Sequence, residues 1–207
     1  MPKIRRLDFL LAPDRPDPPA AEVHVWRADL DEPGWPGDED LPEDERRRAG
    51  ALLRPLSRRR WVASRWALRA VLCRYLRRAP GEIRLATGEH GKPRLAEPAG
   101  RLAFNLSHSD GLAVIAVAQD REVGVDVERV ADRHPRDFYE RWADREAHVK
   151  CLGTGLTGST PPQEARIELL RLDLDPGFAA SLGVTGPPPA VRGWTFGPTA
   201  PVRRGRG

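Results

Sequence analysis

Apolar and polar positions alternate over residues 22–30, where Val23 and Val25 sit between polar or charged neighbours. This period of two predicts an N-terminal strand, and Asp31, Pro33 and Gly34 supply a turn after it. Proline- and glycine-rich sequence follows to residue 42. From about residue 43 to 78 the pattern is helical, with a break near Pro55. In the second stretch Trp61, Leu68, Leu72, Tyr75 and Leu76 line one face, and Ala79, Pro80 and Gly81 close it.

Residues 83–86 form a short strand candidate, and Gly88, Gly91 and Pro93 predict a loop over 88–94. Strands are predicted over 102–106 and 112–118, joined by a connection at 107–111, and over 122–127 after a turn at Gln119 and Asp120. A helix over 136–152 is stopped by Gly153 and Gly155, and strands over 165–174 and 178–184 flank a turn at Asp175, Pro176 and Gly177. The apolar run 112–118 is echoed by 178–184, each near the end of one half of the chain, which hints at an internal duplication. From Thr185 onward the chain is rich in Pro, Gly and Arg without periodicity and is expected to form a loose tail.

A chain of 207 residues is expected to fold as a single unit of one or two lobes. Its 34 Lys+Arg against 30 Asp+Glu leave a net charge of +4, carried mostly by arginine, a mild preference for a phosphate-bearing or acidic partner. Cys73 and Cys151 lack metal-ligand spacing and fit a reducing compartment, so the cytoplasm is expected. The apolar run 9–12 is too short for a signal segment or a membrane span, and a soluble, unexported protein with no membrane partner is expected. A basic nucleic-acid-binding protein built on the arginines leaves the acidic motif described next unexplained, so no nucleic acid is expected as partner.

On the strand 124–128, a period of two puts Asp126 and Glu128 on one face and Val125 and Val127 on the other. Paired carboxylates of this kind suit magnesium, whose octahedron is completed by water and phosphate; an edge strand with a wet polar face is the competing reading. Trp142, Glu146 and Lys150, spaced four apart, share one helix face, which is equally compatible with an ordinary surface pair. Ser107, His108 and Ser109 could bind an anion from a tight connection. They could also be a turn with a stray histidine; no G-x-S-x-G elbow supports a nucleophilic serine. Arg65 and Arg69, four apart, fit a solvated helix face. No P-loop and no G-x-G-x-x-G is present.

Read in order, Gly91-Lys-Pro93, Phe104-Asn-Leu-Ser-His-Ser109, Gly124-Val-Asp-Val-Glu128, Trp142-Ala-Asp-Arg-Glu-Ala-His-Val-Lys150 and Gly153-Thr-Gly-Leu156 resemble the Sfp-type 4'-phosphopantetheinyl transferases. The helix stretch Ser64-Arg-Trp-Ala-Leu-Arg69 is similar to the family's arginine-bearing helix, so the resemblance runs from about residue 23 to 184. It implies an α+β fold of two similar halves related by a pseudo-twofold axis, with the active site in the cleft between them. Residues 1–119 would form the N-terminal half, 120–195 a shortened C-terminal half and 196–207 a disordered tail.

The resemblance also implies the chemistry. The 4'-phosphopantetheine of coenzyme A, the co-substrate, would pass to a serine of an apo acyl or peptidyl carrier protein, releasing adenosine 3',5'-bisphosphate. Asp126, Glu128 and Glu146 would hold magnesium. Ser107, His108, Lys92, Pro93, Arg65 and Arg69 would bind the nucleotide and its phosphates. Glu146 would accept the serine proton, and Lys150 would neutralise the leaving phosphate. Fatty-acid, polyketide or nonribosomal-peptide synthesis would be served, by a monomer. Two departures stand out: only residues 129–141 separate Glu128 from Trp142, where the family has a longer insert, and Arg145 stands where many relatives have lysine. The shortened segment leaves a second reading, a relative that binds coenzyme A or a nucleotide without transfer.

Overall fold

The computed structural model describes residues 2–11, 16, 21–87, 93–96, 102–153 and 166–198. In chain order these form β1 (Lys3–Arg6), β2 (Leu10–Leu11), β3 (Glu22–Asp29), α1 (Glu43–Gly50), α2 (Pro55–Leu76), β4 (Leu85–Thr87), β5 (Pro93–Leu95), β6 (Leu102–Ser109), β7 (Leu112–Gln119), β8 (Val123–Arg129), α3 (Arg136–Leu152), β9 (Ile167–Asp173), β10 (Phe178–Thr185) and β11 (Ala190–Phe196). The fold is α+β, as the resemblance implies. One sheet has the order β2-β11-β3-β7-β6 and the other β1-β9-β10-β8, while β4 and β5 pair by themselves.

The period-two pattern explains the layering. On β7, Ala113, Ile115 and Val117 turn to one side and pack with Ala63, Ala67, Leu68, Val71 and Leu72 of α2. Val114, Ala116 and Ala118 turn to the other and meet Val123, Val125 and Val127 of β8 and Leu182 and Val184 of β10. The sheets therefore pack face to face, with α2 outside the first and α3 seated on the second. Trp61, expected on the same face as Leu68, packs instead in a satellite cluster with Leu41 and Ala49, where α1 meets α2.

Each sheet holds a β-α-β-β unit of the same order: β3, α2, β6, β7 in one and β8, α3, β9, β10 in the other, and in each the third strand lies between the first and second. The echoed apolar runs are these central strands, β7 and β10. Two segments cross over. β11 pairs in parallel with β3, and β1 in parallel with β9.

Three local expectations are corrected. The stretch from Thr185 is not a loose tail, because β11 closes the first sheet and buries Trp194 and Phe196; residues 199–207 lie outside the described residues. Residues 107–109 are not a connection but the end of β6, since Ser107, His108 and Ser109 pair with Val114, Ala113 and Leu112; only Asp110 and Gly111 turn, with Asp110 at φ 47°. Residues 93–95, expected in a loop, form β5. As expected, α3 ends at Gly153, whose φ of 72° is the left-handed conformation that favours glycine at a helix C-terminus. Among the described residues, no helix is long and apolar enough to cross a membrane.

Candidate functional site

The site is built by a close seat of α3 on its sheet. Gly124 of β8 and Gly183 of β10 are cross-strand partners. A Cβ on Gly124 would lie 2.2 Å from the Cys151 nitrogen and 2.3 Å from the Ala147 oxygen, and one on Gly183 would lie 2.9 Å from the same oxygen. The helix backbone thus rests on a glycine platform, with Ala143, Ala147 and Cys151 as its buried stripe. Glu146 and Lys150, each one residue before a buried member of that stripe, are brought beside Asp126 and Glu128.

A second device joins the two sheets. The edge of β8 would leave backbone donors unpaired, and side chains of β6 accept them: Val125 N donates to Asn105 Oδ1 at 2.8 Å, Val127 N to Ser107 Oγ at 3.4 Å, and Arg129 N to Ser109 Oγ at 3.0 Å. The polar residues at 105, 107 and 109 thus repeat every two residues because they replace a missing neighbouring backbone. Ser107 Oγ also donates to Asp126 Oδ1 at 3.0 Å.

Asp126 is only 3 % exposed, so the wet-edge reading of its strand fails. Lys150 Nζ pairs with Asp126 Oδ1 at 2.5 Å and donates to Ser107 Oγ at 3.2 Å. The other Asp126 oxygen, Oδ2, and Oε1 of Glu146 are buried and receive no hydrogen bond among the described residues. Burial raises the Asp126 pKa, with Lys150 working against it. Glu128 is raised first by burial, then by the negative charge of Asp126, with Glu146 adding to it. Carboxylates crowded in this way, two of them with orphaned oxygens, have the donor chemistry that a hard cation needs. Among the described residues no three such groups stand close enough to enclose an ion as they are placed, and Lys150 supplies the positive charge.

On the opposite face of β6, His108 lines a recess of about 290 Å³ with Arg65, Trp61, Pro93 and Leu106. The ring reaches solvent through the mouth, yet desolvation by the recess walls lowers its pKa, with Lys150 and Arg65 adding to the effect. Three of the sequence-predicted binding residues, Arg65, Pro93 and His108, therefore share one cavity. Lys92 lies outside the described residues. Ser107 points away from the recess, toward the carboxylates.

Arg65 and Arg69 do not lie on a solvated face. Arg69 is 2 % exposed; its guanidinium donates to Glu45 Oε2 at 3.0 Å and to the Ile83 carbonyl at 2.5 Å, so it is committed within the fold. Arg65 meets the other Glu45 oxygen at 2.6 Å and keeps an edge on the recess. Sequence reasoning missed Glu45, which stands in a run of charged residues with nothing to single it out. It also missed Gly124 and Gly183 as a platform and Asn105 and Ser109 as edge partners, although the alternation at 105, 107 and 109 was a readable signal.

No family model matches the chain. Among individual proteins, it is 32 % identical over 209 residues to 4'-phosphopantetheinyl transferase HetI of Nostoc sp., covering 80 % of this chain and 88 % of that protein. It is 29 % identical to a phosphopantetheinyl transferase of Thraustochytrium sp., covering 75 % and 71 %. To the human L-aminoadipate-semialdehyde dehydrogenase-phosphopantetheinyl transferase it is 25 % identical, covering 65 % and 55 %.

Proposed function

The chain belongs to the 4'-phosphopantetheinyl transferase family, and we propose that it carries out this transfer at the junction of β6, β8 and α3, moving the phosphopantetheine arm of coenzyme A to a serine hydroxyl of an apo acyl or peptidyl carrier protein. The observation that carries the placement is the pair of buried, unpartnered oxygens on Asp126 and Glu146 beside Lys150. Family membership does not favour a relative that only binds coenzyme A.

Asp126, Glu128 and Glu146 are the residues that would hold a magnesium ion; when bound, it neutralises charge on the pyrophosphate. Lys150 already balances Asp126 Oδ1, which leaves Oδ2 without a partner. In the reaction, the serine oxygen forms a bond to the β-phosphorus of coenzyme A while the bond to the bridging oxygen breaks, and adenosine 3',5'-bisphosphate leaves. Glu146 takes the serine proton, its unpartnered oxygen being free to accept it. The Lys150 ammonium lies where it can meet negative charge on the departing phosphate. Ser107 orients both Asp126 and Lys150 through its hydroxyl. The recess holding Arg65, Pro93 and His108 takes the nucleotide end, where a neutral imidazole offers one donor without a competing charge. The halves would stand about a pseudo-twofold axis, a reading supported by their shared strand order, with the division near residue 119 crossed by β1 and β11. We place the protein in the cytoplasm as a monomer.

Intact-protein mass spectrometry of apo carrier proteins incubated with coenzyme A and magnesium tests this reading. The expected result is a gain of one phosphopantetheine group that is lost with a chelator and falls by at least about 10³-fold in Asp126→Ala and Glu146→Ala, both folded by circular dichroism. Full transfer by both variants would overturn the placement.

A further inference from the structure

Helix α3 carries two stripes. Tyr139, Ala143, Ala147 and Cys151 are buried. Phe138, Arg141, Trp142 and Arg145, at positions i, i+3, i+4 and i+7, form another that faces solvent, with Phe138 38 % and Trp142 40 % exposed and both arginines exposed. The outer face of a helix on a water-soluble sheet has no need of two large aromatic rings. His134 stacks on Phe138 at a centroid distance of 4.3 Å and extends the patch. Arg141 is paired with Asp137. Arg145 makes no hydrogen bond or ion pair among the described residues.

This stripe borders the reacting centre. Trp142 is one helical turn before Glu146, and its indole works against the rise in the Glu128 pKa. A macromolecule that presents a hydroxyl to Glu146 must therefore cover the surface that Trp142, Phe138 and Arg145 define. Aromatic rings with arginines at their edge are the composition of the strongly contributing part of protein interfaces. The charge also selects: exposed Arg133 and Arg145, beside an Arg141 that Asp137 already offsets, repel a second copy of this chain, whose net charge is +4, and attract a partner bearing carboxylates.

We propose that the stripe Phe138, Arg141, Trp142 and Arg145 is the docking face for the carrier protein, met by an apolar side chain flanked by carboxylates close to the acceptor serine. The proposal rests on the transferase reading above and says which surface selects the acceptor. Arg145 meets a carboxylate of the carrier, and Phe138 meets its apolar side chain. Neither residue touches coenzyme A or the carboxylate cluster in this reading.

The test is steady-state transfer with the carrier protein varied, alongside calorimetric binding of coenzyme A and thermal melting, for wild type, Arg145→Glu and Phe138→Ser. Each variant is expected to raise the carrier KM by about tenfold or more, leaving kcat at saturating carrier and the coenzyme A affinity unchanged. A carrier with one carboxylate of its docking face replaced by lysine should recover part of the loss in Arg145→Glu. An unchanged KM in both variants, with an active wild type, overturns the docking face alone. A wild type that sediments as a dimer and is split by Phe138→Ser also overturns it, because a second copy then covers the stripe. A wild type that modifies no carrier overturns the transferase reading itself.

Discussion

The two long helices are held against their sheets by different means. Between α2 and its sheet stand large side chains, Trp26, Leu68, Leu72, Phe104 and Ile115, which interdigitate across the gap. Between α3 and its sheet stand two glycines, and the helix backbone lies almost on the strand backbone. Their charges differ in the same way. The Arg65 and Arg69 guanidiniums of α2 each meet one oxygen of Glu45, whereas beside α3 Lys150 pairs with one oxygen of Asp126, and Asp126 Oδ2 and Glu146 Oε1 receive no hydrogen bond among the described residues. A layer of flexible side chains absorbs small shifts and serves stability. Backbone contact fixes a helix within a fraction of an ångström, which phosphoryl transfer requires of the groups that position it. Satisfied buried charge belongs to the scaffold here, and the unsatisfied buried charge lies where the proposed reading puts the chemistry.

The most damaging way to break this comparison is Gly124→Ala. The added Cβ meets backbone atoms of Ala147, Lys150 and Cys151, none of which can swing aside as a side-chain tip could, so α3 must lift. Transfer is expected to fall by at least about 10²-fold, with a stability loss of about 3 kcal/mol, at the upper end of overpacking costs. Parallel transfer assays and urea unfolding check both. Gly81→Ala is the control, since nothing lies within 4 Å of its Cβ position. Wild-type activity in Gly124→Ala would show that the close seat does not position Glu146 and Lys150.

Glu45→Ala sharpens the other side. It leaves the Arg69 guanidinium buried with, among the described residues, only the Ile83 carbonyl as partner. Breaking a buried pair in this way costs about 3–5 kcal/mol, read as a lower urea midpoint. Below the unfolding transition kcat should be nearly unchanged, because the residue touches none of the carboxylates of the site. The KM for coenzyme A should rise a few-fold, since Arg65 loses the group that holds it at the recess. A collapse of kcat with intact stability would reverse the assignment and make Glu45 part of the chemistry.

What could be read before the structure follows from how local each signal is. The strands β3, β7, β8 and β10 and the helices α2 and α3 were legible because their periodicity is strong and Pro55 and Gly153 mark ends. The carboxylate pair was legible because alternation on one strand fixes which side chains share a face. β1 was not: its four residues are all exposed, and its pairing with β9 is set by partners more than 160 positions away. β11 was masked by a composition of Pro, Gly and Arg that reads as disorder until a neighbouring strand supplies its hydrogen bonds. Glu45 and Arg69 illustrate the same limit, since only tertiary packing distinguishes a buried ion pair from a solvated one.

The smallest expected effect concerns His108, which stands on β6 yet senses both long helices, through Arg65 of α2 on one side and Lys150 of α3 on the other. Its pKa is lowered from 6.5 by desolvation and by those two cations. Above that value the ring is neutral in folded and unfolded chains alike and contributes nothing to pH dependence. As the pH falls below it, the unfolded chain binds a proton that the folded chain resists, so stability is lost. His108→Gln removes this loss without changing the neutral charge of the recess. Between about pH 7.5 and about pH 5.5 the melting temperature of wild type should therefore drop about 1–3 °C further than that of the variant. The carboxylates Asp126 and Glu128 push in the opposite direction, because their raised pKa values make the folded chain the better proton acceptor, and they do so equally in both proteins. The difference between the two curves thus reports the imidazole alone, and parallel curves would mean that the recess leaves His108 as free to ionise as it is in the unfolded chain.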